Sequence, residues 1–147
     1  MQTLQFKIHI NAHAERVWFC LWDEENYKKW TSKFTEGSHY KTDSFTEGNK
    51  IHLLAPSGDG MYSILEKIIE NKYLAFKHIG WIKDFEEQPM DDQTRSWTNS
   101  LETYQLNSND NGTELVVNVD TIDEYIEHMN KLFPIALKEL KKIAEQK

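Results

Sequence analysis

The chain has 147 residues, and 17 lysines and arginines against 24 aspartates and glutamates leave it at −7 with histidine neutral. That balance argues against nucleic acid or an anionic membrane surface as the main partner, and the length favours one domain spanning residues 1–147. Apolar residues make up only 39%, but five Trp, six Tyr and seven Phe give an aromatic share of 12%, enough large side chains to build a core and to exclude long-range disorder.

Leu4, Phe6, Ile8 and Ile10 alternate with Gln5, Lys7 and His9, the pattern of a half-buried strand. The same stretch lacks the apolar run and small-residue cleavage site of a signal peptide. Ala14, Val17, Trp18, Leu21 and Trp22 then share one helix face, with Asn11 as the expected cap. Cys20, the only cysteine, sits on that helix beside Phe19 and Leu21 and reads as a buried structural thiol. Alone it cannot form an intramolecular disulfide, which fits a cytoplasmic protein. Residues 26–30 add one further turn, closed by Tyr27 and Trp30.

From residue 34 onward the pattern predicts strands over 38–44, 50–55, 61–69, 73–83, 96–106 and 113–120, separated by turn-forming residues. The longest connection is the acidic loop 84–92, with Asp84, Glu86, Glu87, Asp91 and Asp92. It lacks the spacing and central Gly of a calcium loop, and reads as a solvated loop or an acidic lid. Turns this short join antiparallel neighbours and leave no room for crossover helices, so the six strands form a meander. Asn111-Gly112-Thr113 matches a glycosylation acceptor but reads as a hairpin turn.

Between residues 122 and 144 an apolar stripe through Ile126, Met129, Phe133, Leu137 and Leu140 predicts a C-terminal helix, opened by the capping-box spacing of Thr121 and Glu124. Pro134 inside it predicts a kink or break near Lys131, with Pro134 opening a second segment on the same face. No stretch approaches the 18 apolar residues of a membrane span. The order is α+β: a curved seven-stranded antiparallel sheet, its first strand paired with its last, gripping the long C-terminal helix. One or two short helices follow the first strand. A concave sheet closed by a helix leaves an elongated hollow suited to small ligands.

Ala12-x5-Trp18-x2-Leu21, Tyr27-x2-Trp30, Gly37-Ser38-x-Tyr40 and Gly48-x2-Ile51 resemble a known family in order and spacing. So do Leu74-x-Phe76-x-His78, the run from Asn111 to Leu115, and Pro134-x-Ala136-Leu137-x2-Leu140-Lys141. Together they resemble the bacterial proteins similar to the C-terminal domain of the activator of the ninety-kilodalton heat-shock protein ATPase. These belong to the helix-grip superfamily of the birch pollen allergen, the steroidogenic lipid-transfer domain and the polyketide cyclases. The resemblance implies the fold more firmly than an activity, because members carry lipids, bind hormones, cyclise polyketides or assist a chaperone.

The usual catalytic strings, G-x-S-x-G, H-E-x-x-H, a Gly-rich phosphate loop and C-x-x-C, are missing. The six histidines, His9, His13, His39, His52, His78 and His128, are scattered and offer no set of three or four converging ligands, so neither a metal site nor a cofactor is expected. His78 shares strand parity with Leu74 and Phe76 and faces inward if they do. Strand 96–106 is ambiguous, with Ser100, Glu102, Tyr104 and Leu106 on one face and Trp97, Leu101 and Thr103 on the other. The resemblance implies that Leu106 is inward, and Glu102 and Tyr104 with it. A buried carboxylate needs a partner, here His78 or Tyr62, and such a pair is the candidate for acid–base work. Met129 and Phe133, one turn apart on the closing helix, and Ile51 and Leu53 complete a candidate ligand site of Ile51, Leu53, Phe76, His78, Glu102, Tyr104, Met129 and Phe133, with His78 as its polar contact. Trp30, Trp81 and Trp97, nearer loops, suit a cavity mouth. The expectation is binding of a small, mainly apolar molecule or lipid without catalysis. A chaperone-associated interaction protein and a cyclase- or hydrolase-type enzyme are the alternatives.

Overall fold

The N-terminal alternation forms strand β1 (Gln2–Ile10), with Leu4, Phe6 and Ile8 turned towards the core and Gln5, Lys7 and His9 exposed. Helices α1 (Ala14–Trp22) and α2 (Glu24–Thr31) follow in this computed structural model, which describes residues 1–146. The remaining elements are β2 (His39–Lys41), β3 (Lys50–Leu54), β4 (Gly60–Ile69), β5 (Tyr73–Lys83), β6 (Glu86–Glu87), α3 (Asp92–Arg95), β7 (Ser100–Asn109), β8 (Gly112–Thr121) and α4 (Asp123–Glu145).

One antiparallel sheet runs in the order β1-β8-β7-β5-β4-β3-β2, with β6 paired to β5. The meander is present, and β1 pairs with β8 from Gln2 opposite Thr121 to Ile10 opposite Thr113. The sheet has eight strands rather than the expected seven, because the acidic loop contributes the two-residue β6. Two one-residue skips in the β4–β5 pairing leave Ile79 and Glu66 unpaired, the irregularity that bends a sheet. The β7–β8 hairpin closes through Asp110 and Asn111, with Gly112 at φ +132°. Ile10 passes so close there that a Cβ on Gly112 would collide with its carbonyl.

Several local expectations are corrected. Strand 38–44 shortens to the three residues of β2, and strand 96–106 shifts to 100–109, leaving Trp97 in the connection before β7. Neither Asn11 nor Thr121 caps a helix. His13 and Ile122 hold those positions without side-chain bonds, and Thr121 is used by the β1–β8 ladder. The turn at 26–30 is an eight-residue helix capped by Asp23, which accepts from the Asn26 N–H. Helix α4 is unbroken through Pro134 over 23 residues. The carbonyl that loses its helical partner belongs to Asn130, and both Pro134 and Asn130 lie on the exposed face. The opposite face buries Phe133, Ala136 and Leu137, and tertiary packing outweighs the local breaker.

The core lies between α4, α1 and the concave sheet face. Trp22 is its aromatic hub, ringed by Tyr27, Phe45, Phe76 and Tyr104 with centroids 4.9–6.5 Å away. The ends of the fold are stitched together: Arg16 donates to the Ile143 and Ala144 carbonyls at the C-terminus of α4, the Asn11 N–H to Glu145 at 2.7 Å, and Lys141 to the His9 carbonyl at 2.7 Å. Among the described residues, no helix is long and apolar enough to cross a membrane.

Candidate functional site

The inward parity of β5 and β7 decides the ambiguous strand. Ser100, Tyr104 and Leu106 are buried while Leu101 and Gln105 are exposed, so Glu102 points into the fold. Phe76 and Glu102 face each other across the β5–β7 ladder, and Ser63 opposes His78 across β4–β5.

These positions build a hydrogen-bonded chain. Ser63 Oγ lies 2.7 Å from His78 Nδ1, His78 Nε2 lies 2.9 Å from Glu102 Oε1, and the Tyr104 hydroxyl donates to Glu102 Oε2 at 2.5 Å. Burial alone pushes the Glu102 carboxyl up. It is outweighed by the hydrogen bonds from His78 and Tyr104, which hold the group below the usual carboxylate range. Tyr104 is pushed the other way, well above the usual phenol range, by burial and by the carboxylate beside it. Tyr62 is not the partner; it lies over Gly80 with Lys50 Nζ 5.5 Å from its ring centroid.

Glu102 and Tyr104 line a hollow of about 230 Å³ between α2, α4 and the sheet. Phe76 continues the sheet wall, Met129 and Phe133 come from α4, and Trp30, Tyr27 and Phe34 come from α2 and the turn after it. Phe133 packs between Phe6 and Phe34, with ring centroids at 4.9 and 4.8 Å. Ser38, Leu53, Met61 and His128 form the more exposed rim. Ser38 and Leu53 are shared with a broad open groove running past Asp59, Trp81 and Asp91.

Six of the eight residues expected from sequence therefore meet on one hollow: Leu53, Phe76, Glu102, Tyr104, Met129 and Phe133. Two do not line it. Ile51 is fully buried opposite Ser63 and packs in the core. His78 stands one step behind the lining, held there by Ser63 and Glu102, so Glu102 rather than His78 is the polar group the hollow meets. Tyr27, Thr31 and Phe34 were not expected on the lining, and Trp30 was expected only at its mouth. Their 0, 3, 4, 7 spacing is the signal that could have found them. Trp30 is an inner wall, its indole N–H donating to the Leu21 carbonyl at 3.1 Å, whereas Trp81 lines the groove and packs edge-to-face on Trp97, with centroids 4.7 Å apart.

The order Ser63–His78–Glu102 has the connectivity of a hydrolase triad, but Ser63 is 0% exposed and off the lining, so its hydroxyl has no approach to a substrate. Cys20 is buried and its thiol is pushed up by that burial, the opposite of a nucleophile. Three or more His, Cys, Asp or Glu side chains do not converge as a metal set among the described residues. The acidic loop is strapped to β3: Glu87 accepts from Lys50 at 2.9 Å and from His52 at 2.8 Å.

A curved antiparallel sheet closed around one long helix, with an aromatic hollow between them, defines a helix-grip protein. The sequence profile of the family described as Activator of Hsp90 ATPase homolog 1-like protein matches residues 11–145, and the chain belongs to that family. The fold is similar to that of the Aha1 dimer from Colwellia psychrerythraea, with TM-score 0.73, 23% identity, and 99% and 97% of the two chains covered. It is also similar to a protein of Mesorhizobium loti, with TM-score 0.74, 16% identity, and 97% and 96% covered. No curated protein matches the chain.

Proposed function

We propose that the protein binds a small, mainly apolar molecule in the hollow between α4 and the sheet. The observation that carries this reading is a space of about 230 Å³ walled by Tyr27, Trp30, Phe76, Tyr104, Met129 and Phe133, with Glu102 as its buried polar group. Packed interiors hold few voids larger than a water, and an apolar cavity of about 150 Å³ already accepts benzene. The space suits one or two rings. It lies below the roughly 300–1,000 Å³ of drug-sized sites, so a long-chain lipid needs the groove beyond Ser38 and Leu53 as well. Native mass spectrometry of freshly purified protein, followed by denaturing extraction, tests the reading. A stoichiometric small molecule is expected. Its absence, together with no binding of an apolar fluorescent probe that Met129→Trp would block, overturns the proposal.

Membership of the family favours a second reading, modulation of a chaperone ATPase. Its test is the ATPase rate of the ninety-kilodalton chaperone with stoichiometric protein added; an unchanged rate removes it.

A further inference from the structure

We infer that the hollow is a site for a small aromatic amine in its protonated form, with Glu102 as counter-ion and the surrounding rings as cation-binding faces. This deepens the proposed binding function and rests on it.

The charge state of the polar chain carries the inference. Ser63 Oγ is fully buried, and its hydrogen-bond partner among the described residues is His78 Nδ1. A buried hydroxyl proton needs an acceptor, and Nδ1 is the one in place. With Nδ1 accepting, the imidazole proton sits on Nε2 and points at Glu102 Oε1, 2.9 Å away. This tautomer follows from the hydrogen-bond network. It satisfies both ring nitrogens with a neutral imidazole. Tyr104 supplies the second donor to Glu102, and it is neutral too. In this arrangement Glu102 is an ionised carboxylate held by two neutral donors.

A carboxylate offers about four acceptor positions and two are used. Glu102 retains 17% of its side-chain surface exposed and lines the hollow. The space in front of it is bounded by the rings of Trp30, Tyr27, Phe76 and Tyr104. Aromatic faces around a buried anion favour an organic cation: the ring quadrupoles attract it and the carboxylate replaces its lost hydration. The groove leading in carries Asp59 and Asp91 against Lys83, so the approach has the same sign preference. The size allows one ring and a short ammonium arm.

The test is calorimetric titration of the intact protein at about pH 8. Phenethylammonium and its neutral isostere propylbenzene serve as probes, with phenylpropionate as the anion. Phenethylammonium is expected to bind about tenfold more tightly than propylbenzene, and phenylpropionate not at all. Glu102→Gln is expected to erase that tenfold preference while propylbenzene binding persists. Propylbenzene binding as tightly as the cation, or a preference unchanged in Glu102→Gln, overturns the charge inference and leaves the cavity reading standing. If neither probe binds, both fall. The wild-type comparison decides the matter even if Glu102→Gln fails to fold.

Discussion

Helix α4 runs along two different interiors. Its C-terminal half buries Ala136, Leu137, Leu140 and Ala144, which share the core with the aliphatic Ile10, Val17, Leu21 and Leu115. Its N-terminal half presents Met129 and Phe133 to Trp30, Phe34, Phe76 and Tyr104, and there a hollow remains. Branched and small side chains interdigitate until little space is left. Large flat rings, each fixed by edge-to-face neighbours or by a polar tip such as the Trp30 N–H, brace one another instead of closing the gap. The tight aliphatic packing and the candidate site therefore sit at opposite ends of one helix.

The largest expected effect belongs to the packed end. Leu140→Ala removes a fully buried side chain and should cost ~2–5 kcal/mol in chemical denaturation. A loss below about 0.5 kcal/mol, the range of surface changes, would erase the contrast. At the junction, His78→Leu strands Ser63 Oγ and removes one donor from Glu102. The expected cost is about 1–3 kcal/mol, read from the denaturation midpoint.

Overpacking sharpens the comparison most directly. Ala136→Leu in the packed half should cost ~1–3 kcal/mol, whereas Met129→Trp, which grows into the hollow, should cost under about 1 kcal/mol. Equal costs would mean that the two ends are packed alike.

pH gives the smallest effects. The hydroxyl of Tyr40, donating to the Trp22 carbonyl at 2.6 Å, is pushed up to about 12 by burial and by Glu24 and Asp23 nearby. A phenol raised above its unfolded value, near 10, supports the fold fully below that value and loses its contribution as pH rises through the folded one. The melting temperature should fall between about pH 10 and 12, and less steeply in Tyr40→Phe. Glu102 is depressed, so its support is complete above the unfolded value near 4.3 and is lost as pH falls below it. Acid melts of Glu102→Gln should show a shallower decline.

The strand order and inward parity were legible because alternation is a local signal: Leu4, Phe6 and Ile8 could face only one way together. The β7 face was not, since a Thr and a Leu occur on both sides, Thr98 and Leu106 on one and Thr103 and Leu101 on the other. What turns Glu102 inward is a pair of partners, His78 and Tyr104, that the fold brings to it. Pro134 misled for a related reason. Its rule concerns one backbone bond, while its outcome depends on which face of α4 meets water. Trp30 was read as a rim residue from its nearness to a loop. The nine-residue return from Trp30 N–H to the Leu21 carbonyl, which draws the ring inside, leaves no trace in periodicity.

The pairing of β1 with β8 has a consequence in time. Gln2 meets Thr121 and Ile10 meets Thr113, so the first strand in chain order pairs with the last one. At about 5–20 residues per second, ribosomal synthesis separates Ile10 from Gly112 by roughly 5–20 s. Throughout that interval Leu4, Phe6, Ile8 and Ile10 have no sheet to join, and their backbone donors and acceptors remain open to any other strand. Lys7, in the middle of the segment and exposed in the finished fold, puts a charge where an unfinished chain is most adhesive. The closing of this sheet is a long-range event, which places the protein among slow folders.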